Sequence, residues 1–272
     1  MSNSPIRHAL SVDVEDWYHD GGVTPGAAAE RVVANTERLL GLLAEHGARA
    51  TFFFLGEVAE RYPQLVRRTA DAGHEIGSHG YGHRHPSHLL WREFHDDVAR
   101  SLAVLRDVSG KSVCGFRAPY FGIKSGVRAP IEMLGELGLL YDSSILAIDR
   151  PPGLELVSPR TPYRHANGLW EVPVAVLQLL RFWHLPLASG TGLRLVPPRL
   201  LRRCIARFES EIGAGVFYLH PWELDPQSPT GPGRGRWLLR VGRARLAERL
   251  SGLLREREFV PICEAFPQIG NC

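Results

Sequence analysis

Cysteine is scarce in this sequence, and long apolar runs are missing from it. Four cysteines occur among 272 residues, and no two of them form a Cys-x-x-Cys pair, which argues against a zinc knuckle or a dithiol redox motif. We therefore expect free thiols in a reducing compartment at Cys114, Cys204, Cys263 and Cys272. Residues 1–10 lack the apolar segment of a signal peptide, and no later stretch holds about 18 uninterrupted apolar residues. The sequence thus predicts a cytoplasmic protein, with peripheral attachment to the inner membrane as the open alternative.

The sequence also lacks a strong charge of either sign. Its formal net charge is +3, which gives no reason to expect a nucleic-acid partner. Arginines do recur toward the C-terminus, at positions 234, 236, 240, 243, 245 and 249. A solvated helix face is the usual explanation of such a run, and contact with an acidic glycan or with anionic lipid headgroups is the alternative. We predict a single domain over residues 1–272, with a basic helical extension at about 225–272.

Strand-like and helix-like segments alternate along the chain. The apolar runs of strand length cover residues 8–14, 50–55, 74–78, 115–117, 141–144, 170–176, 216–220 and 259–262. Helical periodicity covers residues 27–46, 57–72, 86–108, 127–137, 198–212 and 240–255. Residues 149–167 and 225–236 are rich in proline, glycine or arginine and are predicted to be loops. Repeated strand–helix units favour a mainly parallel α/β sheet, open or closed into a barrel.

Polar side chains collect directly after four of the predicted strands. The first strand ends in DVEDW (13–17), the third in HGYGHRH (79–85), the fourth in RAPY (117–120) and a late one in LHPWE (219–223). In barrels of strand–helix units, functional groups gather where strands end and loops begin. Acid, imidazole and guanidinium groups at four such ends therefore predict one common site.

Two of these histidines have the spacing of metal ligands. His79 and His83 lie four residues apart, and neutral imidazole is the commonest protein ligand for a divalent metal. A carboxylate beside two histidines leaves positions on the metal open for water or substrate. Asp13 and Glu15 share one side of an extended strand, which favours Glu15 as that carboxylate. A bend at the strand end would bring Asp16 in instead.

Taken together, the four segments resemble the NodB-type polysaccharide deacetylases, which are carbohydrate esterase family four. The matching stretches are SVDVED (11–16), SHGYGH (78–83), RAPY (117–120) and LHPWE (219–223), in the order of the family. Residues 190–208 and 220–226 resemble a narrower branch associated with exosortase-type exopolysaccharide gene clusters. The resemblance implies a distorted (β/α) barrel with about seven parallel strands.

The resemblance also implies a role for each residue. Asp13 corresponds to the catalytic base, Arg117 to the arginine that holds the base carboxylate, and His220 to the general acid. Tyr120 corresponds to the residue that contacts substrate and directs its backbone N–H at the oxyanion. The implied ligands of a divalent metal, which we expect to be zinc, are Glu15, His79 and His83.

The sequence departs from the family pattern in two places. The family usually has two adjacent aspartates after the first strand, the second being a metal ligand, and here Val14 takes that second place. Some peptidoglycan deacetylases space these acids as Asp-x-Asp, a pattern that makes Glu15 the ligand and leaves Asp16 as its competitor. The acid that usually tunes the catalytic histidine is not evident, and Glu171 or Asp142 is expected to take that part.

These observations predict a metal-dependent hydrolase that removes N-acetyl groups from amino sugars of a polysaccharide, an exopolysaccharide in particular. One alternative is an amide hydrolase of the same fold that acts on a small cyclic amide or ureide. Another is a catalytically silent glycan-binding relative. Association with a membrane-bound exopolysaccharide machinery is a further expectation. Trp17 and Trp222 are predicted to line a sugar groove, with core packing as the alternative, whereas we expect Trp183 to pack in the core.

Overall fold

A curled, mainly parallel sheet forms the centre of the protein. The computed structural model describes residues 5–19, 31–124, 126–146, 159–180, 183–185, 188–229, 236–270 and 272. Its strands are β1 (Arg7–Val14), β2 (Thr51–Phe54), β3 (Glu75–Ser78), β4 (Gly115–Phe116), β5 (Tyr141–Asp142), β6 (Tyr163–Arg164), β7 (Trp170–Glu171), β8 (Leu177–Leu180), β9 (Trp183–Leu185), β10 (Val216–Leu219) and β11 (Glu258–Val260). The main sheet has the order β10-β1-β2-β3-β4-β5-β7-β6, and β11 pairs with β1.

The sheet closes on itself through Val174, which follows β7. This residue forms parallel bridges with Leu146 on one side and with Val216 of β10 on the other. Seven parallel strands, β1 to β5 with β7 and β10, therefore form a wall around the core. The predicted distorted (β/α) barrel is confirmed. Strand β2 reads TFFF and is buried throughout, as expected for a strand covered on both faces.

Helices cover the outside of this wall. They are α1 (Val32–Glu45), α2 (Gly56–Arg61), α3 (Pro63–Asp71), α4 (Trp91–Ser109), α5 (Arg128–Glu136), α6 (Gly190–Leu195), α7 (Pro198–Glu211), α8 (Leu246–Glu256) and α9 (Ile262–Ala265). The helix predicted over residues 57–72 is two helices, because Pro63 has no N–H to continue α2 and instead begins α3. Among the described residues no helix is both long and apolar enough to cross a bilayer.

Two regions differ from the sequence predictions. The predicted loop over 149–167 contains the two-residue strand β6, which is too short to show a periodic pattern. The C-terminal extension contributes strand β11 to the main sheet, beside β1. The prediction of four free thiols is wrong for Cys263 and Cys272, which form a disulfide, whereas Cys114 and Cys204 are buried free thiols.

Strand register aligns the ends that carry the polar motifs. Phe54 of β2 pairs with Ser78 of β3, and Ser78 pairs with Phe116 of β4. On the other side of β2, Val14 pairs with Phe54, and Val12 of β1 pairs with β10 at its last residue. The segments that follow β1, β3, β4 and β10 therefore start at the same edge of the barrel. The predicted site lies at this edge.

Candidate metal and catalytic site

Three buried side chains converge at this edge, and we call Glu15, His79 and His83 the ligand triad. One potential ligand atom from each lies within 4.8 Å of the other two. Glu15 Oε2 contacts His83 Nε2 and lies 3.9 Å from His79 Nε2. That oxygen is buried and accepts no hydrogen bond of good geometry from the described residues. One carboxylate oxygen and two imidazole nitrogens this close together match the donor set of a divalent cation such as zinc.

Neighbouring groups prepare two members of the triad for ligation. His79 Nδ1 lies 2.7 Å from the carbonyl oxygen of Arg117, so this nitrogen carries the proton and Nε2 keeps its lone pair. Burial lowers the pKa of His79 to about 4, which keeps the ring neutral near pH 7. Burial alone would raise the pKa of Glu15, but the imidazoles of His83, His220 and His79 hold it well below its ordinary value. Glu15 is therefore an anionic donor.

Asp16, the competitor of Glu15, faces a different part of the molecule. Its Oδ1 accepts a hydrogen bond from the Trp17 amide at 2.9 Å. Its Oδ2 accepts from the amides of Arg31 and Val32, at 2.5 and 3.0 Å. Asp16 thus satisfies the amino end of α1, a common task for an aspartate. Strand alternation places Glu15 with the histidines, as the sequence indicated, and metal ligation by Glu15 stays a prediction.

Asp13 and Arg117 form a buried ion pair beside the triad. Arg117 Nη1 donates to Asp13 Oδ1 at 2.8 Å, and both side chains are almost fully buried. The guanidinium also donates to Ser11 Oγ at 2.8 Å and to the Ser143 carbonyl and hydroxyl oxygens at 3.0 and 2.9 Å. A buried pair is stable only when its other hydrogen-bonding groups are satisfied. Arg117 therefore fixes the orientation of the Asp13 carboxylate.

His220 faces the triad from β10 and is oriented by Glu223. His220 Nε2 lies 3.5 Å from Glu15 Oε1 and 4.0 Å from Asp13 Oδ2. Its Nδ1 lies 3.2 Å from Glu223 Oε2, and Arg194 Nε donates to Glu223 Oε1 at 3.1 Å. Burial would lower the pKa of His220, but the carboxylates of Glu15 and Glu223 outweigh burial and raise that pKa to about 10. The ring is thus protonated near pH 7 and carries the proton that a general acid needs.

The prediction that Glu171 or Asp142 tunes this histidine is wrong, because Glu223 occupies that place. Asp142 and Glu171 lie on β5 and β7 and hydrogen-bond to the segment that follows β5. Glu223 lies three residues after His220, on a single 3-10 turn that begins at Pro221, and it also accepts from the His220 amide at 3.1 Å. The signal was present in the motif as a His-Pro-x-Glu spacing, which resembles a helix-capping arrangement.

Strained backbone surrounds the triad. Among the described residues, positive φ angles outside glycine occur at His83, Tyr120 and Phe121, with values of 51°, 59° and 50°. Such residues cost of order 1–3 kcal/mol each and cluster at functional sites. The Tyr120 ring lies 4.6 Å from the His83 ring, and its hydroxyl donates to the His19 carbonyl at 2.9 Å. Tyr120 is brought to the site, and the role of its backbone N–H stays a prediction.

The prediction that Trp17 and Trp222 line a sugar groove is wrong. Their exposed fractions are 8% and 4%, so neither ring offers a free face. Trp222 stacks on His220 with the ring centres 5.0 Å apart and donates to Glu15 Oε1 at 3.3 Å. It therefore supports the site from within. The side chain of Trp183 lies outside the described residues.

An open cleft of about 510 Å³ lies beside His83. It is lined by polar and aromatic groups that include His85, His88, Glu93 and Tyr120.

Two family profiles match most of this chain. The profile of the polysaccharide deacetylase family matches residues 20–137, and that of a domain of unknown function, DUF3473, matches residues 143–267. A peptidoglycan deacetylase of Helicobacter pylori is 31% identical over 115 residues, which are 42% of this chain and 38% of that protein. A peptidoglycan-N-acetylglucosamine deacetylase of Bacillus cereus is 35% identical over 85 residues, 31% of each chain. The similarity thus spans about a third of the length of these relatives.

Solved structures share the fold over nearly the whole chain. A Mycobacterium smegmatis structure assigned to the polysaccharide deacetylases has a TM-score of 0.67 at 24% identity, covering 99% of this chain and 92% of its own. A Bacillus anthracis structure described as a pseudoenzyme of carbohydrate esterase family four has a TM-score of 0.55 at 13% identity, covering 97% and 66%. Identities this low establish the fold alone. Catalysis has to be argued from the residues of this chain.

Proposed function

We propose that the protein removes N-acetyl groups from amino sugars of a polysaccharide, because residues 20–137 match the polysaccharide deacetylase family. The observation that carries the proposal is the convergence of Asp13 and His220 on the ligand triad, at 4.0 Å from each other and at the same edge of the barrel. Such a convergence places a candidate base, a candidate acid and a cation site around one reacting group of the substrate.

The ligand triad supplies one part of the chemistry. A divalent cation held by Glu15, His79 and His83, zinc in our proposal, supplies Lewis acidity to the acetamide carbonyl and acidifies water when bound. The chain fixes its donors in advance, since the His79 ring is held by the Arg117 carbonyl and the Glu15 carboxylate by the Trp222 indole. Pre-oriented ligands of this kind bind tightly because little reorganisation remains.

Asp13 and His220 transfer the protons. Arg117 occupies Asp13 Oδ1, so Oδ2 is the oxygen that takes the proton of the attacking water. His220, kept protonated by the carboxylates around it, gives its proton to the leaving amine. General acid–base pairs of this kind contribute typically 10²–10⁴-fold each. The Tyr120 backbone N–H is proposed to stabilise the oxyanion that forms between these two steps.

Replacement of the base is the direct test of this proposal. Asp13→Asn removes the proton acceptor but keeps the shape of the side chain, so acetate release from a chitooligosaccharide should fall by at least about 10³-fold. Bound metal, measured by mass spectrometry, should be unchanged. Glu264→Gln is the control, because Glu264 pairs with Arg49 before β2, at the opposite edge of the sheet. Persistent acetate release from Asp13→Asn would contradict the role of Asp13.

Two other activities are compatible with the fold and differ in measurable ways. Turnover of a small cyclic amide or ureide, without acetate release from glycans, would favour a different amide hydrolase on this scaffold. Glycan binding without turnover would favour a silent relative, and a pseudoenzyme does occur among the structural neighbours. The intact Asp13–Arg117 and His220–Glu223 pairs argue against a silent protein.

An exopolysaccharide is the substrate that we propose in particular. The support is the resemblance of residues 190–208 and 220–226 to the exopolysaccharide-associated branch, whereas the curated relatives named above act on peptidoglycan. A cytoplasmic location with peripheral contact to a membrane-bound exopolysaccharide machinery is part of this proposal. Acetate release from a soluble N-acetylated exopolysaccharide, compared with release from purified peptidoglycan, tests the choice of substrate.

A further inference from the structure

Two acids that have no part in the proposed reaction lie side by side on adjacent strands of the barrel. Asp142 of β5 and Glu171 of β7 are register partners on neighbouring parallel strands, and neither is exposed to solvent. One oxygen of each has a donor: Ser144 Oγ donates to Asp142 Oδ1 at 2.5 Å, and the Ile145 amide donates to Glu171 Oε1 at 3.1 Å. The other two oxygens, Asp142 Oδ2 and Glu171 Oε2, have no donor among the described residues.

A proton shared between the two carboxyl groups would give each of these oxygens a partner. Two carboxylates opposite each other on adjacent strands repel, and burial makes that repulsion more costly. Burial raises the pKa of Glu171 to about 8, and burial together with the Glu171 charge raises the pKa of Asp142 well above its ordinary value. Near neutral pH the pair therefore keeps at least one proton that the unfolded chain would release.

Few other titratable groups face this pair. His165 Nε2, from the turn after β6, lies 3.7 Å from Glu171 Oε2, and burial lowers the pKa of that histidine. Burial and the two carboxyl groups raise the pKa of Tyr163 on β6. The Arg117 guanidinium acts on Glu171 from the end of β4, but its hydrogen bonds go to Ser11, Asp13 and Ser143.

The segment between the two acids is the one that holds Arg117. Ser143 accepts two hydrogen bonds from the Arg117 guanidinium and donates one to the Val172 carbonyl at 2.8 Å. Ser144 Oγ accepts from the Ala118 amide at 2.7 Å while it donates to Asp142. An unbroken chain of contacts therefore runs from the acid pair through residues 143–145 to Arg117, and from Arg117 to Asp13.

We propose that Asp142 and Glu171 share one proton and act as positioning residues, fixing residues 143–145 so that Arg117 holds the Asp13 carboxylate in place. This role rests on the proposed function of Asp13 as the base. When the proton is lost, two adjacent negative charges push β5 and β7 apart, and the support of Arg117 is disturbed. Catalysis should then fail at alkaline pH, although neither acid touches substrate.

The test uses amides that imitate the shared proton. In Asp142→Asn the side-chain N–H₂ donates to Glu171 Oε2 at every pH, and Glu171→Gln provides the same bond from the other side. The wild-type kcat on a chitooligosaccharide should be about tenfold lower at the most alkaline pH at which the protein stays folded than at pH 7, while either amide variant should lose less than about threefold over that range. An identical alkaline decline in wild type and both amide variants would overturn the proposal.

The Ala variant separates positioning from folding. Asp142→Ala removes the proton donor and the acceptor of Ser144, so at pH 7 its kcat should fall about tenfold or more with KM within about threefold of wild type. A changed KM with unchanged kcat would contradict positioning of the base. Circular dichroism confirms that the variant is folded, and Glu264→Gln again serves as the control.

Thermal unfolding separates this inference from the proposed function. Because the folded pair retains a proton that the unfolded chain releases, wild-type stability should fall as pH rises from about 4.5 to about 8. Asp142→Asn should show a flatter decline, and equal slopes would overturn the shared proton. Absence of turnover on every N-acetylated glycan would instead refute the proposed function, while the unfolding data would still decide whether the proton is shared.

Discussion

Two buried arginine–carboxylate pairs flank the ligand triad, and they are built from different parts of the fold. Arg117 holds Asp13, the proposed base. Arg194 holds Glu223, which acts only through His220. Both arginines are almost fully buried, so each pair is stable only because its hydrogen bonds are satisfied. The two pairs are alike in burial, but different parts of the chain hold their arginines in place.

The base side depends on the sheet. The partners of Arg117 are Ser11 within β1, Asp13 near the end of β1, and Ser143 directly after β5. These positions are fixed by strand register and by burial. The arrangement is therefore rigid. Of its residues only Arg117 lies within the polysaccharide deacetylase match, since Ser11 and Asp13 precede that match and Ser143 follows it.

The acid side depends on a C-terminal segment. Arg194 on α6 donates from Nη1 to the carbonyl oxygens of Leu238, Leu239 and Val241, at 3.2, 3.1 and 2.7 Å. All of these residues lie within the DUF3473 match. The segment that matches DUF3473 thus contains His220, the proposed acid, together with its support. The predicted basic extension contributes the carbonyl oxygens that hold Arg194.

Of the two arginine–carboxylate pairs, the base side should show the larger effect when it is broken, and Arg117→Lys breaks it. Lysine keeps the charge but cannot bind Asp13, Ser11 and Ser143 at once, because it lacks the planar fork of the guanidinium. Hydrolysis of both N-acetylglucosamine oligomers and an activated aryl acetate ester should fall about 100-fold, since both reactions need the base. Steady-state kinetics on the two substrates measures this. A loss confined to the acetamide would contradict the assignment of Arg117 to the base.

A smaller and more selective effect is expected from Glu223→Gln, which breaks the acid side. Glutamine removes the charge that holds His220 protonated, and an amine leaving group requires that proton. Acetamide hydrolysis should fall about tenfold, whereas the aryl acetate ester, whose leaving group needs no proton, should stay within about threefold of wild type. The ratio of the two rates is the measurement. Equal losses on both substrates would show that Glu223 supports the fold rather than the acid.

The same difference explains how much the sequence could predict. Asp13 lies near the end of β1 and Glu15 directly after it, and β1 has a clear apolar run. The place of both acids at this edge of the barrel therefore follows from parallel register. The contact of Glu223 with His220 was not predicted, because it is made within one 3-10 turn and such a turn has no periodic hydrophobic pattern. The burial of Trp17 and Trp222 depends on distant packing, which a single sequence does not reveal.

Short strands were the other limit. The strands β4, β5 and β7 have two residues each, so their sheet positions come from neighbours rather than from their own pattern. The pairing of Asp142 with Glu171 exists only in that register. In the sequence, Asp142 and Glu171 were therefore candidates for the acid beside His220. In the fold they lie opposite each other on adjacent strands.

The smallest expected effect is that of Asp16→Ala. Compared with Glu15→Ala, it tests which carboxylate belongs to the ligand triad that lies between the two pairs. Asp16→Ala removes the acceptor for the amides of Arg31 and Val32, which should cost about 1 kcal/mol of unfolding free energy and leave bound metal unchanged. Glu15→Ala should lose the metal and the activity with it, because two imidazoles alone hold a divalent cation weakly. Denaturant unfolding and metal analysis of the purified variants measure both quantities. Full metal retention in Glu15→Ala with loss in Asp16→Ala would reverse the ligand assignment and place the competing acid at the centre of the site.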